Sequence, residues 1–205
     1  VTVAAWGYAN RPTSEPALPR VVHGFAFQPY QKDQDALTGE DPTVTQIDAD
    51  LKLLAGTTRA VRTYSSIGTL GEIPALARKH GLKVMLGSWI DSDRERNDRE
   101  VEAAIRLANA NRNVTRILVG NEVVLRGDLP VEDLIAHLDR VRAATKQPVS
   151  TAEPWHVWIK HPELVAHVDF ITVHMLPYWE GVEVEAAVGY VVAKLGEVRN
   201  AFPGK

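Results

Sequence analysis

Cysteine is absent from the 205 residues, which excludes disulfides, thiolate metal sites and a cysteine nucleophile. It does not fix the compartment, because disulfide-free proteins occur on both sides of a membrane. No apolar run approaches the ~20 residues that a membrane span needs. Lysine and arginine are scattered and the net charge is only -3, so there is no footprint for nucleic acid or for an anionic membrane surface. The expected partner is a neutral or small ligand. No Gly-rich loop follows an apolar run, which removes the phosphate-cradling signature of nucleotide-binding sheets. His156, His161 and His167 lack a metal-binding spacing such as HExxH, so neither a metal nor a cofactor is expected. What is present is the 45% hydrophobic, 24% charged profile of a globular protein, long enough to bury one large core.

From Val21 onward, short β-branched runs alternate with helical patterns. The expected strands are 21–30, 60–65, 83–90, 114–123, 148–155 and 169–179. Between and after them, residues 44–55, 73–81, 99–111, 130–145, 158–168 and 186–202 carry apolar side chains at three- and four-residue spacing, as in Leu134, Leu138 and Val141. Asp41-Pro42, Gly81 and Pro130 read as helix punctuation. The strands are continuous apolar runs, which suits a parallel sheet covered on both faces. An open doubly wound sheet and a (β/α)8 TIM barrel both fit. Polar residues gather at the C-terminal end of nearly every strand, and in a barrel those ends converge on one face. The barrel is therefore expected, apparently truncated after six strand–helix units, since such a barrel usually needs about 250 residues. Residues 1–20 are read as an N-terminal arm or linker, or as the end of a membrane segment through the apolar Val1–Tyr8, and 21–205 as a partial catalytic barrel.

The stretch ILVGNEVVLRG, Ile117 to Gly127, runs from buried strand straight into Asn121 and Glu122. A carboxylate among Val119, Val123, Val124 and Leu125 is expected to be desolvated, which raises its pKa and lets it hold a proton for a leaving oxygen. The alternative is a rim ion pair with Arg62 or Arg126. Asn121 beside it can hydrogen-bond a substrate hydroxyl. Sugars present flat C–H faces and equatorial hydroxyls, so their sites pair aromatic platforms with polar donors and acceptors. Tyr30, Tyr64, Trp89, Trp155, Tyr178 and Trp179 all fall at expected strand ends, as does His174, a candidate partner for a substrate or a carboxylate. The run SDRERNDRE (92–100) reads as a solvated helix entrance, and the sequon at Asn113 is discounted because it opens an expected buried strand.

The motifs GFAFQPY, VRTYSS, LVGNEV, STAEPWHVW and VHMLPYWEG, in this order and spacing, resemble glycoside hydrolase family 17, the β-1,3-glucan-active barrels, and in particular its bacterial members. The resemblance covers roughly Val21 to Lys205. It implies a retaining glycosidase or glucanosyltransferase with Glu122 as acid/base, Asn121 beside it, and Tyr64 and Tyr178 around the cleaved bond. It also implies a nucleophile Glu at the end of a seventh strand, in a motif resembling Gly-Glu-Thr-Gly-Trp-Pro. That motif is not among the 205 residues, so the nucleophile is expected beyond Lys205 and the segment alone is expected to be inactive. Glu153, from the neighbouring strand end, is read as a substrate-binding or pKa-tuning residue. Bacterial relatives join such a domain to a membrane-embedded glycosyltransferase, which implies a periplasmic or extracellular site with membrane anchorage through sequence outside the segment. The alternative from another class is a noncatalytic β-glucan-binding barrel module.

Overall fold

The computed structural model of the chain describes residues 2–9, 21–36 and 39–205. Six strands form one parallel sheet in sequential order: β1 (Phe25–Ala26), β2 (Ala60–Arg62), β3 (Lys83–Ser88), β4 (Val114–Asn121), β5 (Val149–Pro154) and β6 (Thr172–His174). The helices are α1 (Thr2–Ala9), α2 (Val44–Leu54), α3 (Ile73–Lys79), α4 (Arg94–Ala110), α5 (Val123–Arg126), α6 (Val131–Ala144), α7 (Trp155–Lys160) and α8 (Val184–Ala201).

Sequential order decides between the two expected architectures, because a doubly wound sheet reverses at a switch point and this one does not. The sheet is also rolled. Neighbouring strands lie ~4.8 Å apart, so β2 and β6 are separated by about 19 Å on a flat sheet. Arg62 at the end of β2 nevertheless reaches His174 at the end of β6, Nη1 to Nε2 3.2 Å. The fold is therefore that of a (β/α)8 barrel, with six of its strands among the described residues.

Several boundaries differ from the sequence expectation for identifiable reasons. Strands β1 and β6 are much shorter than the runs 21–30 and 169–179, and on their C-terminal side Pro29 and Pro177 cannot donate to a ladder. Tyr178 and Trp179 consequently sit in a 3-10 turn, Pro177–Glu180, and not at a strand end. Helix α2 opens at Val44, as read from sequence, on a capping box in which Thr43 Oγ1 accepts from Gln46 N. Helix α4 opens earlier than residue 99, because Asp93 accepts from Arg96 N at 3.0 Å. The charge run is thus its first two turns, and Asn97 and Glu100 within it are fully buried. Pro162 splits the expected helix 158–168 into α7 and a 3-10 turn. Gly81 closes α3 at φ 72°, as read from sequence.

The core forms between sheet and helices. Ile47 and Leu51 of α2, Leu134, Leu138 and Val141 of α6, and Val84, Leu86, Ile117 and Val119 of the sheet are all fully buried in one cluster. Trp158 is the largest buried side chain, and its Nε1 donates to Thr172 O at 3.1 Å. Asn113 is held by Pro74 O and Leu82 O, 2.9 and 3.2 Å from its Nδ2, which fits its reading as a strand-opening residue. Val3 and Trp6 of α1 are exposed, and the remainder of the arm, residues 10–20, lies outside the described residues. Among the described residues no helix is long and apolar enough to cross a membrane.

Candidate active site

The chemistry begins with a fault in the ladder between β4 and β5. Pairing runs Ile117 to Val149 and Leu118 to Ser150, then jumps to Asn121 with Ala152. Three steps on β4 match two on β5, so β4 carries one extra residue, a bulge that re-aims the side chains after it. Gly120 absorbs it at φ 85°, and a Cβ there would stand 2.5 Å from Val123 Cγ2. Glu122 comes next but one, at φ 57°, ψ 32°. It is the only non-glycine residue with positive φ among those described, a conformation that costs roughly 1–2 kcal/mol. This kink lifts Asn121 and Glu122 out of the apolar ladder at the C-terminal edge of the sheet.

Around them the rolled sheet brings together side chains far apart in sequence. Arg62 Nη2 donates to Asn121 Oδ1 at 2.6 Å, and its guanidinium lies 4.5 Å over the Tyr64 ring. Arg62 has donors only, so at 3.2 Å His174 Nε2 must accept from it. His174 then carries its proton on Nδ1, which donates to Glu122 Oε1 at 2.6 Å. One oxygen of Glu122 is thereby fixed by the imidazole, and the side chain stays 23% exposed to the cleft. Burial pulls Arg62 below the usual guanidinium range, while the charge of Glu122 pulls the other way. Neither Arg62 nor Arg126 is the direct ion-pair partner that the alternative reading of Glu122 required.

Glu153 requires a correction. It is fully buried, and its oxygens accept from Val124 N at 2.9 Å and Leu125 N at 3.3 Å. It sits beneath the site and cannot touch a substrate. The burial expected around Glu122 is found here: it pushes the Glu153 carboxyl up to about 7, against the two amides that lower it. Glu100 of α4 is a second buried carboxylate, pushed upward by desolvation. It accepts from Ser65 Oγ and from Ser66 N, the latter at 2.8 Å, and so fixes the loop that carries Tyr64.

The aromatic candidates fall into three groups. Tyr30, Tyr64 and Trp89 line one cavity of about 440 Å³ at the ends of β1, β2 and β3. There Tyr30 OH points to Asp41 Oδ1 at 3.5 Å, and burial, with the Asp41 charge second, pushes that hydroxyl upward. Arg126 lies 4.7 Å over the Trp89 ring and donates to Ile90 O at 2.9 Å and to Asn121 O, clamping β3 to β4. Trp155 belongs to the other flank, where Nε1 donates to Glu180 at 3.2 Å and Lys194 Nζ stands 3.9 Å over the ring. Tyr178 and Trp179 pack edge-on against each other, 83% and 78% exposed.

By strand order, Glu122 lies between the two aromatic flanks. Of the organising residues, sequence reasoning weighed Arg62 and Arg126 only as ion-pair partners of Glu122 and did not select Glu100. Such a site offers a carboxyl fixed on one oxygen, an amide nitrogen free to donate, and aromatic surfaces on both sides. Among the described residues no group of three or more His, Cys, Asp or Glu is arranged to hold a metal.

A family model described as the BtgE/BtgC glycoside hydrolase domain matches residues 24–205. The glucan 1,3-beta-glucosidase of Schizosaccharomyces pombe is 33% identical over 147 residues, 65% of this chain and 46% of that protein. A probable glucan endo-1,3-beta-glucosidase, btgC, of Aspergillus flavus is 25% identical over 207 residues, 90% of this chain and 30% of that protein. An active-site mutant of the Rhizomucor miehei beta-1,3-glucanosyltransferase, solved in complex with laminaritriose, superposes with a TM-score of 0.76 at 28% identity. That match covers 89% of this chain and 68% of the other. The chain spans about half or less of the length of these two curated relatives.

Proposed function

The chain belongs to the BtgE/BtgC glycoside hydrolase domain family, and from that membership we propose that it acts on β-1,3-glucans as a retaining glycosidase or glucanosyltransferase with Glu122 as general acid/base. One observation carries the assignment: His174 holds one Glu122 oxygen at 2.6 Å while Arg62 fixes both His174 and Asn121. The other Glu122 oxygen is left to handle the proton. In the first step a carboxylate attacks C1 of the sugar, the C1–O bond to the departing chain breaks, and the Glu122 proton passes to that oxygen. In the second, Glu122 takes a proton from water or from a sugar hydroxyl, whose oxygen attacks C1 and releases the carboxylate. Water gives hydrolysis and a sugar hydroxyl gives transfer.

The nucleophile must stand about 5–5.5 Å from the acid. Glu153 is unsuited, being buried with both oxygens occupied, and we keep the nucleophile where the family resemblance implies it, on a strand after β6. Because Arg62 takes Oδ1 of Asn121, the Asn121 amide nitrogen is the group offered to a sugar hydroxyl. Tyr30, Tyr64 and Trp89 form a sugar-binding wall on one flank and Trp155 on the other, with Tyr178 and Trp179 meeting more distant sugar units. A polymeric glucan substrate puts this activity in the periplasm or outside the cell, which fractionation of expressing cells checks.

The test is turnover of laminari-oligosaccharides by the full-length protein. Products longer than the substrate identify transfer, and only shorter ones identify hydrolysis. Glu122→Gln is expected to lose on the order of 10²- to 10⁴-fold in rate. Full activity in that variant removes Glu122 from the role, and glucan binding without turnover in the parent protein favours a binding module.

A further inference from the structure

Glu153 poses a question that the proposed reaction leaves open. A fully buried carboxylate is expensive unless its oxygens are hydrogen-bonded. Its two oxygens do one thing each: Oε1 accepts from Val124 N at 2.9 Å and Oε2 from Leu125 N at 3.3 Å. Those amides belong to α5, a single turn too short to persist unaided. The turn begins directly after Glu122, and Arg126 N closes it by donating to Glu122 O at 2.8 Å. On the other side Glu122 N donates to Ala152 O at 2.7 Å, and Ala152 is the residue before Glu153. The strained φ of 57° at Glu122 is therefore bracketed by β5 on both sides, and such strain persists only where the surroundings over-determine it.

We propose that Glu153 is a positioning residue for the acid/base: by gripping the two amides that follow Glu122 it holds the left-handed backbone that aims the Glu122 carboxyl at His174 and the scissile bond. The inference rests on the reading of Glu122 as acid/base. Glu122 and Arg126 are the charged groups that act on Glu153 from its surroundings. Glu153→Gln keeps the shape but turns one acceptor into a donor facing an N–H. Glu153→Met removes the buried charge together with both acceptors, leaving the two amides unpaired, and far-UV circular dichroism checks that both variants are folded before they are assayed.

The experiment compares kcat/KM of the full-length protein on a laminari-oligosaccharide, whose leaving group needs a proton, with that on a dinitrophenyl β-laminaribioside, whose leaving group does not. Displacing a catalytic group by about 1 Å costs on the order of 10²-fold. Both Glu153 variants are expected to lose about that much on the oligosaccharide and less than about threefold on the aryl glycoside. Equal losses on both substrates mean a merely structural role and overturn the proposal, as does no loss on either. Glu122→Gln measured alongside separates the two readings. If it shows the split and the Glu153 variants do not, only the positioning role fails. If it shows no split, the acid/base reading fails and this inference with it.

Discussion

The β4–β5 junction and the β6–α8 flank are built from the same strand–helix unit, yet they differ in how completely they are packed. Every residue of β5 is buried, including Ser150, Thr151 and Glu153, and α6 beside it buries Leu134, Leu138 and Val141. Strand β6 is half-exposed along its whole length. Helix α8 buries only Val198, while Val184, Val188 and Val192 face solvent at 79%, 75% and 64%. Of these two regions it is the packed one that carries the strained backbone of Glu122 and the buried carboxylate of Glu153. To the Glu122 carboxyl the open side contributes His174, which is itself held by Arg62 from β2. Fixed geometry for a proton-handling group is supplied where the surroundings leave no alternative, and the less enclosed flank presents surface.

The comparison can be broken at its strongest point by Trp158→Ala. This substitution empties the largest fully buried side chain and is expected to cost about 3–5 kcal/mol, read from urea denaturation. The next effect is pH-dependent. Glu153 ionises at about 7 in the folded protein against an ordinary 4.5. Between those values the folded state binds more protons than the unfolded one, so stability falls as pH rises through this window, by roughly 3 kcal/mol in all. Thermal unfolding from pH 4 to 9 is expected to slope less steeply in Glu153→Gln than in the parent; equal slopes would remove Glu153 as the source. Smaller again is Gly120→Ala, which forces a Cβ within 2.5 Å of Val123 Cγ2 at φ 85°. A loss of about 2 kcal/mol is expected, and because the bulge is disturbed, activity should fall further than stability. The smallest is Val188→Ser on the open face of α8, expected within about 0.5 kcal/mol in the 205-residue chain. A larger loss there would mean that this face is covered in solution.

Much of the fold was legible because strand–helix alternation and polar strand ends are local patterns. Asn121 and Glu122 stood out because they interrupt an apolar run, and Tyr30, Tyr64 and Trp89, which line one cavity, because aromatic residues ended neighbouring runs. The substrate-binding alternative for Glu153 failed for a physical reason: a carboxylate at a strand end looks the same in sequence whether it faces a cleft or two backbone amides. The bulge at Gly120, which decides which way Glu122 faces, comes from a mismatch between two strands and leaves no mark on either alone. Arg62 was seen only as a possible counter-ion, since its work depends on how tightly the sheet rolls. The reach of β6 to Tyr178 and Trp179 was overestimated because aromatic residues continued past Pro177, where a ladder cannot.

The contact between Arg62 and His174 joins residues 112 positions apart, and it has a consequence for the order of assembly. Local helices and neighbouring strand pairs form early, whereas a tie of such separation must wait until the intervening chain is in place. The imidazole that steadies Glu122 therefore arrives late. In refolding of the full-length protein, catalytic competence is expected to lag behind the burial of Trp158, so that intrinsic fluorescence recovers before turnover does.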